Sequence, residues 1–158
     1  MNLHAQSLSV DEFSEFGEVI EHHGIERRHQ FAMIADDGIQ QAYWVTKVTS
    51  AITFPFEIDQ LEYHPHTDQA FFPLSGQRML VVVCPSLEDG APDLKKAKAF
   101  VSTPGQGVLY RQNVWHAGMS VLELPSQFVV TMAVGADLQN DVFRKLAEPL
   151  TVNFAECV

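Results

Sequence analysis

Apolar and polar positions alternate through the middle of the chain. Residues 42–49 and 52–58 are rich in aromatic and β-branched side chains at every second place, as expected of half-buried strands. Residues 61–74, 77–84, 98–101, 107–110, 115–122 and 127–134 continue the series. Gly, Pro, Ser and Asp separate these segments, and no long helical period intervenes. Many short strands punctuated in this way predict an all-β antiparallel barrel or sandwich. Pro55 marks an edge or a bend in its segment.

The ends read differently. Residues 3–9 form a candidate first strand. Ser9 then precedes Asp11 and Glu12, acids that suit the first turn of a short helix. Phe13 and Phe16 share a face of that turn, Gly17 ends it, and residues 18–20 read as extended. Residues 85–92 form a loop, and 93–96 one helical turn. The tail from Asp137 is predicted to hold a short helix over 141–147, ahead of Pro149.

The chain has 158 residues, 46% of them hydrophobic with 11 Phe, which supports one domain over 1–158 with a sizeable core. A net charge of −10 argues against a nucleic-acid or anionic-membrane partner, either of which needs a basic patch. A small anionic substrate remains compatible, because one or two local arginines outweigh a distant negative surface. No apolar run is long enough for a membrane-spanning helix, and the first residues lack a basic-then-apolar leader, so a cytoplasmic location is expected. Cys84 closes an apolar run and reads as a buried thiol. Cys157 lies by the carboxy terminus, and the two do not make a disulfide framework.

Candidate chemistry is concentrated in two stretches. In LEYHPHTDQAFFPLSG (61–76), Glu62, His64 and His66 recur every second residue. On one strand they project to one face, where two imidazoles, a carboxylate and the nearby Gln69 amide can converge on a divalent ion. The bland alternative leaves one histidine exposed and the other hydrogen-bonded in a polar pocket, with no metal. Pro65 between them suggests a bulge that interrupts the alternation. In PGQGVLYRQNVWH (104–116), a tight turn feeds a strand carrying Tyr110, and a second turn leads to Trp115 and His116. His116 at a strand start is a candidate to face His64 across a barrel, and Tyr110 offers a phenol to the same space. Trp115 and Tyr110 also fit simple core packing with a satisfied polar tip. The polar cluster His22, His23, Glu26, Arg27, Arg28 and His29 reads as an exposed loop, or as a flap that brings Arg27 or His29 over a ligand. Dinucleotide, Walker, nucleophile-elbow and CxxC signatures are absent from the sequence.

Together the two stretches resemble the cupins, barrels with an HxH-plus-acid strand and a second P-x-G strand ending in His. Gln69 stands where cupins usually place Glu. The phrases LSVDEFSEFGEVIE (8–21), ERRHQFA (26–32), LEYHPHTDQAFFPLSG, VVVCPSLEDGAPDLKKAKAFV (81–101) and PGQGVLYRQNVWH are similar to the ureidoglycolate lyase family of cupin-like enzymes, over about three-quarters of the chain. That resemblance implies a cupin-like antiparallel β-barrel or jelly roll with a few short helices, and a homodimer. It implies cleavage of (S)-ureidoglycolate to glyoxylate and urea in allantoin breakdown, with nickel or another divalent metal as cofactor. It also implies catalytic roles for Glu62, His64, Gln69, Tyr110 and His116, and a small carboxylate substrate held by Arg27 and His29, with Arg28 or Arg111 a candidate to replace a substrate-binding Arg that the family carries elsewhere. The metal set read from the two stretches themselves is His64, His66 and His116. The chain departs from the family pattern at Leu109, Arg111 and Ala117, at Thr131–Val134, where an Asp-Arg pair is usual, and at His66, where Leu is usual. Those departures keep two other readings in play: a different metal-dependent cupin enzyme acting on a small hydroxy or keto acid, and a non-catalytic cupin that binds a small ligand.

Overall fold

The computed structural model describes residues 1–135 and 139–155. In chain order the strands are β1 (Asn2–His4), β2 (Gln6–Ser7), β3 (Gly17–Ile20), β4 (Gln41–Val48), β5 (Phe56–Tyr63), β6 (Gln69–Pro73) and β7 (Met79–Cys84). They continue as β8 (Lys98–Val101), β9 (Gly107–Tyr110), β10 (Trp115–His116), β11 (Ser120–Val121), β12 (Ser126–Ala133) and β13 (Val142–Asn153). Helix α1 (Val10–Phe13) and a 3-10 turn at Leu94–Lys96 are the helical pieces among the described residues. One sheet runs β1-β13-β5-β10-β7-β8-β2, with β11 also on β7; the other runs β3-β9-β6-β12-β4. They curl into a nearly closed barrel, the all-β cupin-like fold expected.

Strand β7 shows how sequence drives the packing. All six of its side chains are buried. Met79, Val81 and Val83 face the barrel interior, against Phe71, Tyr110 and Phe128 of the opposite sheet and Phe13, Phe16 and Phe100. Leu80, Val82 and Cys84 face the other way, into a second apolar cluster with Leu61, Trp115 and Leu150. A strand with both faces covered reads as a continuous apolar run rather than an alternation. Strand β12 is covered on one face: Phe128 and Val130 sit in the interior cluster and Gln127 is exposed.

Two glycines permit close strand approach. A Cβ on Gly107 would lie 2.3 Å from the Phe71 carbonyl oxygen, and one on Gly17 would lie 1.7 Å from that of Leu109. Strand β9 is thereby clasped between β3 and β6, with Tyr110 opposite both Gly17 and Gln69.

Four expectations need correction. The predicted strand over 61–74 is two strands in different sheets, because the chain turns between Tyr63 and Gln69 around Pro65. The strand predicted over 115–122 is two two-residue pieces, β10 and β11. The strand predicted over 52–58 begins at Phe56. The predicted helix over 141–147 is instead strand β13, paired with β5 through a bulge between Lys145 and Leu150. There the apolar positions Leu146, Leu150 and Val152 are buried by the barrel's outer layer, so tertiary packing outweighs local helix propensity. Asp137 and Cys157 lie outside the described residues. Among the described residues no helix is long and apolar enough to cross a membrane.

Candidate functional site

His116 is placed by β10, whose two residues face opposite ways. Trp115 joins the outer cluster and donates its indole N–H to the Gly90 carbonyl at 3.1 Å. His116 is the directly opposed partner of both Glu62 on β5 and Val83 on β7. Directly opposed residues point to one face, and Val83 is an interior residue. His116 and Glu62 therefore look into the barrel. His64 follows the end of β5 and meets them there: the His64 and His116 rings are 5.1 Å apart between centroids. The two histidine-bearing segments do come together inside the barrel.

Both imidazoles have one nitrogen committed and one unpartnered. His116 Nδ1 is 2.9 Å from the Val114 carbonyl oxygen, and His64 Nδ1 is 2.8 Å from that of Asn140. A carbonyl only accepts, so each Nδ1 carries the proton and each Nε2 presents a lone pair. Neither Nε2 has a hydrogen-bond partner, although both are buried. His116 Nε2 lies 3.6 Å from a Glu62 oxygen, too far for a hydrogen bond. His64 Nδ1 is also 3.1 Å from a carboxylate oxygen of Asp141, so its proton is shared between a carbonyl and an acid.

Burial dominates the electrostatics. It pulls the His116 imidazole down to about 3, with help from the nearby His64, so His116 is neutral at any working pH. Burial raises the Glu62 carboxyl above its ordinary value; His64 opposes this and Asp141 adds to it. Burial, and then the charge of Glu62, push the Tyr110 phenol far up, so it is a neutral hydroxyl. The Tyr110 ring stacks on His116, 4.2 Å away and 7° from parallel.

Gln69 completes the lining. It is the opposed partner of Tyr110 and lies two residues before the interior Phe71, so it shares their inward face. Its Nε2 contacts Met132 Sδ at 3.4 Å, while its Oε1 is buried without a partner.

The other expected site residues lie elsewhere. His66 does not join the cluster. The alternation that would have aimed it inward ends at the turn around Pro65, and its Nδ1 pairs instead with Asp36 at 2.8 Å on the surface. Glu62 takes its place in the only group of three metal-binding side chains found among the described residues: Glu62, His64 and His116, with ligand atoms all within 4.8 Å of one another. Two unpartnered imidazole lone pairs beside a carboxylate fit a divalent ion. Arg111 is committed to Glu18, to Asp68 at 2.7 Å and to the Ala32 carbonyl at 3.0 Å. Arg27 is exposed. His29, also exposed, accepts the His23 backbone N–H at 3.1 Å and stacks on Phe31.

Sequence reading missed Asn140. It is 3% exposed, and its side chain accepts the His66 N–H at 3.0 Å and donates to the Ala133 carbonyl at 3.3 Å. Those bonds fix the backbone whose carbonyl orients His64. The signal was faint, since its partner His66 lies 74 residues away in the chain and Asn140 itself falls just ahead of the helix predicted over 141–147.

Comparison with known proteins identifies the family. The family model described as ureidoglycolate lyase matches residues 1–153. Curated proteins named ureidoglycolate lyase from Escherichia coli (strain K12 / DH10B) and Shigella boydii serotype 18 are each 33% identical over 149 residues. The match covers 87% of this chain and 91% of each relative.

Proposed function

This chain belongs to the ureidoglycolate lyase family as a divergent member, and on that premise we propose that it cleaves (S)-ureidoglycolate to glyoxylate and urea. The observation that carries the reading is the pair of unpartnered, inward-facing imidazole nitrogens beside Glu62. The reaction is an elimination. The substrate hydroxyl loses its proton, the freed electron pair closes the C=O of glyoxylate, and the C–N pair leaves on the nitrogen of urea, which takes up a proton. No water is consumed.

The base needs a lone pair that gains strength as it takes the proton. His64 meets this, because the Asp141 carboxylate and the Asn140 carbonyl stabilise the imidazolium from the far side. His116 is too weak a base in its apolar seat and serves as a fixed neutral acceptor. A protonated Glu62, favoured by burial, supplies the proton to the leaving nitrogen, and the Tyr110 hydroxyl remains a donor at all working pH. Arg27, exposed near the chain's polar loop, is the proposed carboxylate clamp, since Arg111 is spent elsewhere. Glu62, His64 and His116 are the residues that would hold nickel or another divalent ion; when bound, such an ion supplies Lewis acidity to the substrate oxygen. It would compete with the base role for the His64 lone pair, so metal analysis of the purified protein separates the two.

Within this proposal the chain is one cupin-like domain, a cytoplasmic homodimer acting in allantoin and purine breakdown. The test is to incubate the protein with racemic ureidoglycolate and follow glyoxylate, with and without Ni2+ or Mn2+. Half the racemate should be consumed, with equal glyoxylate and urea. No glyoxylate above background under either condition would refute the reading.

A further inference from the structure

Three buried acceptors on inward-facing side chains have no hydrogen-bond partner: His64 Nε2, His116 Nε2 and Gln69 Oε1. A buried polar atom left unpaired costs about 1–3 kcal/mol, so such a set implies an occupant. The two imidazole nitrogens are accounted for above, by a proton or a cation. Gln69 Oε1 is not. It is a neutral amide oxygen on a side chain 6% exposed. Its orientation is set on the other side, because the Nε2 hydrogens face the Met132 sulfur, a weak acceptor. Flipping the amide would turn the oxygen toward that sulfur and leave two N–H donors in place of one acceptor.

The surroundings narrow the choice of guest. A carboxylate brings only acceptors and cannot satisfy Gln69 Oε1 or the two nitrogen lone pairs. A group rich in N–H donors satisfies them. We propose that Gln69 reads the ureido end of the substrate, accepting an N–H of the leaving urea group, so that the substrate lies with its ureido end inside the barrel and its carboxylate toward the mouth. This rests on the ureidoglycolate reading and adds the orientation and the residue that selects an amide over a ketone. A site built to receive a donor rejects the analogue that lacks it.

The test uses two unreactive acids of nearly the same shape. N-carbamoylglycine has NH2 and NH where 4-oxopentanoate has CH3 and CH2. Binding of each to the purified wild-type protein is measured by calorimetry or by displacement, with no turnover required. The wild type should prefer N-carbamoylglycine by at least about tenfold, the scale of one buried hydrogen bond. In Gln69→Met, close in volume but without the acceptor, the preference should fall below about threefold, through loss of N-carbamoylglycine binding alone. Gln69→Glu retains an acceptor oxygen and should retain the preference. Equal affinities in the wild type, or an unchanged preference in Gln69→Met, would overturn the proposal; the wild-type comparison decides if the Met variant does not fold. The outcome is separate from that of the lyase assay, since the selectivity can hold in a protein that releases no glyoxylate.

Discussion

Two polar clusters sit a few residues apart on the same segments and have opposite characters. At Asp68, 1% exposed, both oxygens are used: one accepts the Ile34 N–H at 2.9 Å and Arg111 at 2.7 Å, the other the Gln112 N–H at 3.0 Å. Arg111 is shared in turn with Glu18 and the Ala32 carbonyl. One residue along each strand, Gln69 and Tyr110 face inward with His116 and His64, where buried acceptors have no donor. Charge and burial alone do not separate the clusters. Completeness does: the first closes on itself and holds the loop at Ala32–Ile34 to the barrel, while the second is finished only by something that enters.

The sharpest way to break the contrast is to remove the proposed base. His64→Gln should lower kcat/KM on the order of 10^3-fold while shifting the melting temperature little, as steady-state kinetics and a thermal melt on one preparation would show. A large loss of stability with kinetics intact per folded molecule would place His64 with the scaffold instead.

The reverse pattern is expected at the closed cluster. Asp68→Ala strands two backbone N–H groups and a guanidinium, and should cost about 3 kcal/mol in urea unfolding. Turnover per folded molecule should stay near the wild-type value.

The third effect is smaller and depends on pH. Unfolded, His116 takes a proton near 6.5; folded, it stays neutral down to about 3. The unfolded chain binds more protons between those values, so the stability present above pH 6.5 declines as pH falls through that window. At pH 5 the decline from this group is on the order of 2 kcal/mol. Melting temperatures from pH 7.5 to 5 should fall less steeply in His116→Gln than in the wild type. Parallel slopes would show that His116 is not held neutral by its seat.

The sequence made the barrel legible where packing is local to a strand. Residues 79–84 and 107–110 announce themselves because each apolar side chain has a wall to meet. The meeting of His64 with His116 was legible too, since each sits at a strand end beside a turn. His66 was misread because strict alternation was extended through Pro65, beyond the last ladder residue, Tyr63. Strand β13 was misread because its charged and apolar residues fit a helix as well as a bulged strand, and only the partner strands β5 and β1 decide between them. Asn140 was invisible for a related reason. Its bonds reach His66, 74 residues away in the chain, and no local pattern encodes such a contact.

The narrow clasp around β9 bears on how this protein can diverge. With the Phe71 carbonyl where a Cβ at position 107 would stand, every replacement there must push a neighbouring strand aside, and the same holds at Gly17. Sequence drift is closed at these two places even though neither belongs to the candidate site. A lineage that altered its chemistry would have to do so by exchanging the inward side chains, with the depth at which Tyr110 is presented inherited unchanged.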